Sequence, residues 1–299
     1  MSDNPHTERL VLKTGQEGTF KEQLDAYLSR LKAGEMGALP AVGALVVLIG
    51  LFAALSPYFL TVINISNLFV QSATLMMLTA ALVFVIILAE IDLSAGVTAG
   101  TGMAIFVKLN QDAPDLWMLN FLLAFVLAVA TGWFIGFFVA KIGVPSFVVS
   151  LALYLAFPGV MLIILGDGGV LRLEVPEIQA IMNKNLPDWG GWVILLVSLL
   201  TTAGMAFWDR GRRTKAGLPN RPLAMLWVKL GAIAALGGGI VVLLNVPRNL
   251  NPLTPIQGVP NVIPIALFIL FVGTFVLDRT KFGRYIYAIG ANPEAARRA

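Results

Sequence analysis

The sequence predicts an all-α protein: a polytopic transmembrane helical bundle with about eight spans and a cytoplasmic amino terminus. The first observation behind this prediction is the composition, because 58% of the 299 residues are hydrophobic, 13% are charged, and the mean hydropathy is +0.83. Soluble chains average about 25% charged residues, so this one lacks the groups that cover a water-exposed surface. The composition therefore excludes a soluble enzyme, a disordered chain and a nucleic-acid-binding domain.

The second observation is a series of apolar segments along the chain. A bilayer core about 30 Å thick requires roughly 20 apolar residues per helix. The candidate spans are residues 39–55, 68–88, 93–107, 117–139, 147–165, 192–207, 223–244 and 262–277. They separate a cytoplasmic tail (1–38), a transmembrane domain (39–277) and a cytoplasmic carboxyl-terminal segment (278–299). Within the tail, residues 19–32 have amphipathic helical spacing, which suits either the membrane surface or docking on the protein itself.

The third observation is the distribution of charge. With a cytoplasmic amino terminus, 16 of the 21 basic residues fall in cytoplasmic segments, which is the positive-inside pattern. Membrane topology therefore explains the net charge of +4, and no nucleic-acid partner is needed. The same pattern requires residues 93–107 to cross the membrane, although a helix of that length extends only about 22 Å.

Several kinds of chemistry are excluded by what the sequence lacks. It contains no cysteine and a single histidine, His6, which lies in the polar tail. Disulfides, thiolate or histidine metal sites and Ser-His-Asp catalysis are therefore excluded. No G-x-x-x-x-G-K-[ST] phosphate loop occurs, so an ATP-driven process would need a separate motor subunit. The sequence predicts no catalytic residue and no metal site.

An acidic stretch interrupts the apolar pattern between the second and third predicted spans, with the sequence Glu90-Ile91-Asp92-Leu93-Ser94. Asp92 is placed to cap the next helix by accepting a hydrogen bond from the backbone N–H of Ser94 or Ala95. Carboxylates at membrane depth are costly and often mark transport pathways. For Asp92 the cap is the preferred interpretation. For Glu90, a pathway residue and an interfacial charge stay open as alternatives.

Several stretches of the chain resemble motifs of one family in the same order. Asn67-Leu68 with Gln71 is similar to that family's Asn-Leu and Gln, and residues 89–96 resemble G/A-x-I-D-L-S-x-G. Residues 144–151 resemble V-P-S-F-I-V-T-L, residues 258–260 resemble G-V/I-P, and residues 279–297 resemble T-x-F-G-R-x-I-Y-A-I-G-x-N-x-E-A-A-R. The family is that of the permease subunits of bacterial ABC sugar importers, the ribose/xylose/galactoside group. Ala89 and the basic segment 208–222, expected to be a loop, resemble its xylose branch.

The resemblance implies a permease subunit, in the bacterial cytoplasmic (inner) membrane, of an ATP-driven importer of a monosaccharide, xylose or a related pentose. It implies no cofactor in this chain. The implied partners are an ABC ATPase subunit that uses ATP, a periplasmic sugar-binding protein and a second permease copy in a homodimer. The candidate residues of the translocation path are Asn67, Gln71, Glu90, Asp92, Ser94, Pro145, Ser146 and Phe147. The candidate residues for ATPase coupling are Phe282, Gly283, Arg284, Tyr287, Gly290, Asn292, Glu294, Ala295, Ala296 and Arg297.

The family continues past this last motif, so we expect the chain to be the front part of a longer protein. Two other functions stay open from the residues alone: an ATP-independent secondary transporter or channel, and an intramembrane enzyme using the two carboxylates. Residues 166–191 and 245–261 would receive the binding protein or act only as connectors. Residues 278–299 would bind the ATPase or only acidic lipid.

Overall fold

The computed structural model describes residues 29, 34, 36–37, 39–166, 171–218, 220, 222–248 and 256–298. The predicted amphipathic helix over residues 19–32 lies outside the described residues except for Ser29. Numbered from the first helix described in full, the helices are α1 (Leu39–Leu55), α2 (Val62–Ile87), α3 (Ala95–Asp112), α4 (Trp117–Phe137), α5 (Ser146–Leu165), α6 (Pro176–Asn183), α7 (Asp188–Lys215), α8 (Leu223–Leu244), α9 (Val262–Arg279), α10 (Lys281–Ala291) and α11 (Pro293–Arg298). Short 3₁₀ and π turns flank α4.

Six of the described helices are long and apolar enough to cross a membrane: α2, α4 with its flanking turns, α5, α7, α8 and α9. Helix α1 is apolar but shorter, with 17 residues. Helix α3 has 18 residues, and polar side chains occupy its last turns, from Lys108 to Asp112. The predicted all-helical membrane architecture is confirmed, and the predicted count of eight spans is approximate because α1 and α3 fall outside the six.

The helix bounds differ from the predicted spans mainly where charge follows an apolar run. The predicted bounds of α1 and α8 are confirmed. Helix α7 continues to Lys215 instead of ending near 207, so most of the segment expected to be a basic loop is helical. Arg212, Arg213 and Lys215 stand in its last turn, where positive charge favours the helix dipole. The drop in hydropathy after residue 207 marks the end of the apolar run and not the end of the helix, because backbone hydrogen bonding does not require apolar side chains.

The first of two compact units contains the described residues up to 67 and those within 185–259. In it α7 and α8 pack closely through glycines: a Cβ on Gly191 would lie 3.0 Å from the Val241 side chain, and one on Gly237 would lie 2.7 Å from Leu195. Close glycine contacts of this kind are typical of paired membrane helices. Gly258 closes the end of the pair with φ +90° and donates its N–H to the carbonyl of Leu244 at 2.8 Å.

Arg248 fixes the segment that follows α8 in the same unit. Its guanidinium donates to the carbonyl of Gly258 at 2.6 Å, to that of Ile256 at 3.4 Å and to the hydroxyl of Ser66. Burial lowers the pKa of the Arg248 guanidinium below its usual value. The group stays charged at neutral pH because arginine is effectively always protonated in proteins. The interactions tie the start of α2 to the G-V-P stretch.

The second unit contains residues 68–184 and 260–299. Within it α3 packs against α4 around a small core of Phe106, Val107 and Ala124. Helix α9 lies alongside α2 and runs in the same direction: Ala73 contacts the start of α9, and Phe84 lies beside Gly273 farther along it. The two ends of α2 and α9 therefore reach the same level, where both candidate sites lie.

Candidate functional sites: the acidic break and the carboxyl-terminal helices

Helix α2 ends in a turn that directs the chain into the acidic stretch. The N–H of Glu90 bonds the carbonyl of Val85 at 3.2 Å, and the N–H of Ala89 bonds that of Ile86 at 2.9 Å. These two bonds, with Ala89 at φ +60°, form a Schellman-type helix end. Glycine is the usual residue there because a Cβ is disfavoured at positive φ. We call residues 88–94, between α2 and α3, the acidic break.

Asp92 holds the start of α3. Its Oδ1 accepts hydrogen bonds from both the backbone N–H and the hydroxyl of Ser94, each at 2.7 Å. The predicted hydrogen bond is present, with the Asp92 carboxylate accepting the N–H of Ser94. The predicted cap is not formed in the strict sense, because Ser94 occupies the N-cap position of α3 and no described side chain accepts a hydrogen bond from the first turn of the helix. Ser94 is fully buried and immediately precedes α3. Its hydroxyl is engaged by the carboxylate, so this serine stabilises the turn.

Two serines of α5 hold the acidic break from the side. The hydroxyl oxygen of Ser146 accepts from the N–H of Ile91 at 3.1 Å. The hydroxyl of Ser150 donates to the carbonyl of Ile91 at 3.2 Å. Ile91 lies outside any helix, so without these serines both of its backbone groups would lack protein partners among the described residues. We call Ser146 and Ser150, with Ile91, the serine clamp; it joins two motifs that lie 55 to 59 residues apart.

The remaining path candidates have no such role. The Glu90 carboxylate has no hydrogen bond or ion pair with any described residue, and Pro145 and Phe147 are exposed beside the buried Ser146. Asn67 and Gln71 are exposed on α2. Gln71 lies 16 residues before the end of that helix, about 24 Å along its axis. The candidates therefore form two groups at different depths, and only those near the acidic break contact one another.

Thr280 and Gly283 build the turn from α9 into α10. The hydroxyl of Thr280 donates to the carbonyl of Val276 at 2.6 Å and accepts the N–H of Gly283 at 3.2 Å, which caps α10. A Cβ on Gly283 would overlap the carbonyl oxygen of Leu277. The glycine is therefore required because the first turn of α10 lies directly against the end of α9.

One face of α10 is buried against the rest of its unit. Gly283, Ile286 and Gly290 recur at three- and four-residue spacing, so they lie on the same face. Ile286 is 5% exposed. A Cβ on Gly290 would overlap the carbonyl oxygen of Ile87 and lie 3.2 Å from Cα of Leu88. Helix α10 thus rests on the end of α2, at the residue that leads into the acidic break.

The rest of α10 exposes large side chains. Phe282, Tyr285 and Ile289 are 59%, 64% and 44% exposed, and their spacing places them in one stripe beside the buried face. Tyr287 and Arg284 are exposed on other sides of the helix. We call Phe282, Tyr285 and Ile289 the exposed stripe.

A second short helix, α11, follows α10 at once. Asn292 caps it by accepting the N–H of Ala295 at 3.0 Å, and Pro293 occupies the first helical position, where its missing N–H has no cost. Glu294 stands in the first turn and pairs with Arg298 at 3.8 Å, with both side chains exposed. The predicted short helix around Glu294 is present. Glu294, Ala295 and Arg297 are exposed, and Ala296 is partly exposed.

Sequence reasoning missed several residues that the structure makes central. Ser150 is the second half of the serine clamp, and no local sequence signal separates it from the other serines of the apolar helices. Thr280 caps α10, which the spacing of Thr280 and Gly283 could have indicated. Asn110 is 95% buried in α3, and nothing in the local sequence distinguishes it.

Comparison with known proteins identifies the family. Residues 64–299 match the family described as "Branched-chain amino acid transport system / permease component". Xylose transport system permease protein XylH of Escherichia coli (strain K12) is 35% identical over 246 residues, which cover 80% of this chain and 58% of that protein. XylH of Haemophilus influenzae is 31% identical over 243 residues, covering 80% and 61%. Ribose import permease protein RbsC of Escherichia coli (strain K12) is 24% identical over 257 residues, covering 85% and 58%.

The family match reaches from residue 64, near the start of α2, to residue 299 and includes both candidate sites. The chain spans about three fifths of the length of these curated relatives. No solved structure matches it. Together with the apolar helices, the match makes this a multi-pass protein of the inner membrane and a transport component, not an enzyme. The chain belongs to the permease-component family, among the sugar permeases of ABC transport systems.

Proposed function

We propose that the chain is the membrane-spanning permease subunit of an ATP-driven importer that carries a monosaccharide, xylose or a related pentose, across the cytoplasmic membrane. The observation that carries this proposal is the identity of 35% to a xylose permease over 80% of the chain. Because the chain spans only 58% of that relative, the activity, the sugar and the partners of the whole protein belong to the proposal.

The partner that uses ATP is a separate ATPase subunit, and it docks on α10 and α11. The exposed stripe of α10 supports this assignment, because three large side chains on one helix face are a typical surface for a partner's groove. The exposed Glu294 and Arg297 of α11 add charge beside it. The motif residues divide accordingly. Phe282, Arg284, Tyr287, Glu294 and Arg297 contact the ATPase, whereas Gly283, Gly290 and Asn292 set the geometry of the two helices.

A displacement of α10 by the ATPase would be transmitted to the transport path through the end of α2. Gly290 lies against Ile87, three residues before Glu90. The acidic break is in turn held to α5 by the serine clamp. Movement of α10 would therefore shift the end of α2 and the acidic break against α5. In this assignment Asp92, Ser94 and Ser146 are positioning residues of the break, and Glu90 is the side chain that faces the path.

Asn67, Gln71, Pro145 and Phe147 complete the proposed path. The exposed amides of Asn67 and Gln71 suit a hydroxylated solute because they donate and accept hydrogen bonds, and the ring of Phe147 suits stacking. A sugar-binding protein delivers the solute, and a second permease copy completes the channel as a homodimer. The relatives' description as transport-system and import permeases supports the delivering partner.

Reconstitution of the complete transporter tests the proposal. The full-length protein, its ATPase and its binding protein are placed in liposomes, and uptake of D-xylose is measured with and without ATP. We expect ATP-dependent uptake and an ATPase that co-purifies with the permease. Uptake of the same size without ATPase would contradict the proposal and indicate a secondary transporter or channel.

Glu294→Lys tests the docking surface within the same system. Because Glu294 is exposed, we expect an unchanged melting temperature but weaker co-purification of the ATPase. The matched control is Glu177→Lys, which reverses an exposed glutamate at the start of α6. Equal association of both variants with the ATPase would contradict docking at α11.

A further inference from the structure

A polar cavity lies at the end of α3 opposite to the acidic break. Its volume is about 190 Å³, and it is lined by Asn110, Gln111, Pro114, Arg172, Glu174 and Val175. We call it the α3 cavity. With the orientation that the charge distribution predicts, this end of α3 faces outward.

The other wall of the cavity is part of residues 171–175, which lie outside any helix. Leu171 and Leu173 are partly buried and pack on the core of Phe106 and Val107, and two charged residues alternate with them along the chain. Those are Arg172 and Glu174, which are exposed and line the cavity. The segment therefore presents one cation and one carboxylate to the same space.

These two charges are not engaged by the protein. Neither the Arg172 guanidinium nor the Glu174 carboxylate has a hydrogen bond or ion pair with another described residue. A guanidinium offers five donors and an ionised carboxylate only acceptors. The pair can therefore donate to some oxygens of a solute and accept from other hydroxyl groups of the same molecule.

Asn110 supplies the independent sign of a missing ligand. The residue is 95% buried, and its Nδ2 donates to the carbonyl of Phe106 at 2.7 Å. Its Oδ1 is buried and accepts no hydrogen bond from the described residues. Leaving a buried acceptor unsatisfied costs about 1–3 kcal/mol. Such a group at the wall of a polar cavity indicates a donor that is absent from the isolated chain.

We propose that the α3 cavity is a binding site for a small neutral polyhydroxy solute of the monosaccharide class, held by Asn110, Arg172 and Glu174. One cation and one anion in the same cavity favour a neutral solute. An anionic solute would be repelled by Glu174, and a cationic solute would be repelled by Arg172. Hydroxyl groups of the solute can donate hydrogen bonds to the Asn110 amide oxygen and the Glu174 carboxylate, and they can accept hydrogen bonds from the Arg172 guanidinium. The assignment rests on the proposed function and adds to it a site separate from the acidic break.

The test is direct binding to the full-length protein in detergent or nanodiscs, without ATPase or binding protein. Saturation-transfer NMR measures binding of D-xylose, with sodium glutamate as an ionic probe. The variants are Arg172→Ala and Glu174→Gln, and the matched control is Glu177→Gln, an exposed glutamate that does not line the cavity. We expect saturable D-xylose binding that weakens at least tenfold in the two variants and is unchanged in the control.

Asn110→Leu separates binding from folding. Because the substitution removes an unsatisfied acceptor and keeps a similar volume, we expect a melting temperature equal to or above that of the wild type, together with loss of D-xylose binding. A purely structural asparagine would give the opposite: a lower melting temperature with binding retained.

Each other outcome overturns the inference, and uptake in the reconstituted transporter shows whether the proposed function falls with it. Sugar binding that is unchanged in the Arg172 and Glu174 variants overturns the site alone. Binding of glutamate but not of D-xylose overturns the solute class. If no probe binds saturably while ATP-dependent D-xylose uptake is intact, the cavity is not a solute site and the proposed function stands.

Discussion

The acidic break and α10 are two motif-bearing regions that the fold uses in opposite ways. At the break, two serines of the motifs turn toward the protein: Ser94 is fully buried, and Ser146 is 8% exposed. On α10, Gly283 and Ile286 turn inward, whereas Phe282 and Tyr285 turn outward, with Tyr285 64% exposed. Both regions meet at the end of α2.

The difference shows how the residues of a motif can be sorted into those that hold the fold, the framework residues, and those that are free to contact a partner. Inside a membrane helix bundle, a polar side chain is retained where a backbone group would otherwise lack a partner, as at Ile91. On the short helix α10, glycine is required where backbones touch, as at Gly290. Polarity therefore marks the framework of the break, whereas on α10 size and charge mark the contact surface. Four predictions test this division.

The largest effect is expected from Gly290→Ala. The new Cβ would overlap the carbonyl of Ile87, so α10 must separate from α2 at a cost of about 3 kcal/mol or more. Thermal unfolding and limited proteolysis between α9 and α10 measure this. The matched control is Gly132→Ala, where nothing lies within 4 Å of the added Cβ and the helix gains about 1 kcal/mol. Equal melting temperatures would show that α10 does not rest on α2.

Removal of the serine clamp comes next. Ser146→Ala and Ser150→Ala each leave one backbone group of Ile91 unpaired, at about 1–3 kcal/mol per group. The control is Ser198→Ala in α7, whose hydroxyl only bonds its own helix at the carbonyl of Ile194. Melting temperatures in detergent compare the three. If a clamp variant had the same melting temperature as the Ser198→Ala variant, the acidic break would be held by contacts other than these serines.

The pair Tyr285→Ala and Ile286→Ala separates contact from framework on adjacent residues. Tyr285 is exposed, so its loss should leave the melting temperature unchanged while ATPase association weakens about tenfold, or about 1.4 kcal/mol. Ile286 is buried, so its truncation should destabilise the fold by about 2–5 kcal/mol. Co-purification and thermal unfolding are measured on both. Destabilisation by the tyrosine variant would contradict an exposed contact surface.

The smallest effect is expected from Ala89→Gly. Ala89 adopts φ +60°, a conformation that costs an L-residue about 1–2 kcal/mol relative to glycine. Part of this gain is offset by the greater freedom of glycine in the unfolded chain, so we expect stabilisation of about 0.5–1 kcal/mol. The control is Ala99→Gly within α3, where glycine should destabilise by about 1 kcal/mol. Melting shifts of the same sign would contradict the assigned helix end.

The sequence predicted contacts well where they are local. The bond from Asp92 to Ser94 spans two residues, and the short helix after Asn292 follows from its own residues, so local rules were sufficient for both. The serine clamp was not predictable, because Ile91 and Ser150 are 59 residues apart and no local rule selects one serine among many. The basic end of α7 was assigned to a loop because hydropathy alone does not report helix length.

By itself the sequence determined the membrane setting, the helical class and the positions of most helices, because hydropathy and charge act on each segment separately. It also carried the motifs that place the chain in its family. Tertiary structure alone decided which motif residues are framework and which are free to bind, and it brought Asn110, Arg172 and Glu174 to one cavity. The reason is that burial and backbone satisfaction depend on neighbours contributed by distant parts of the chain.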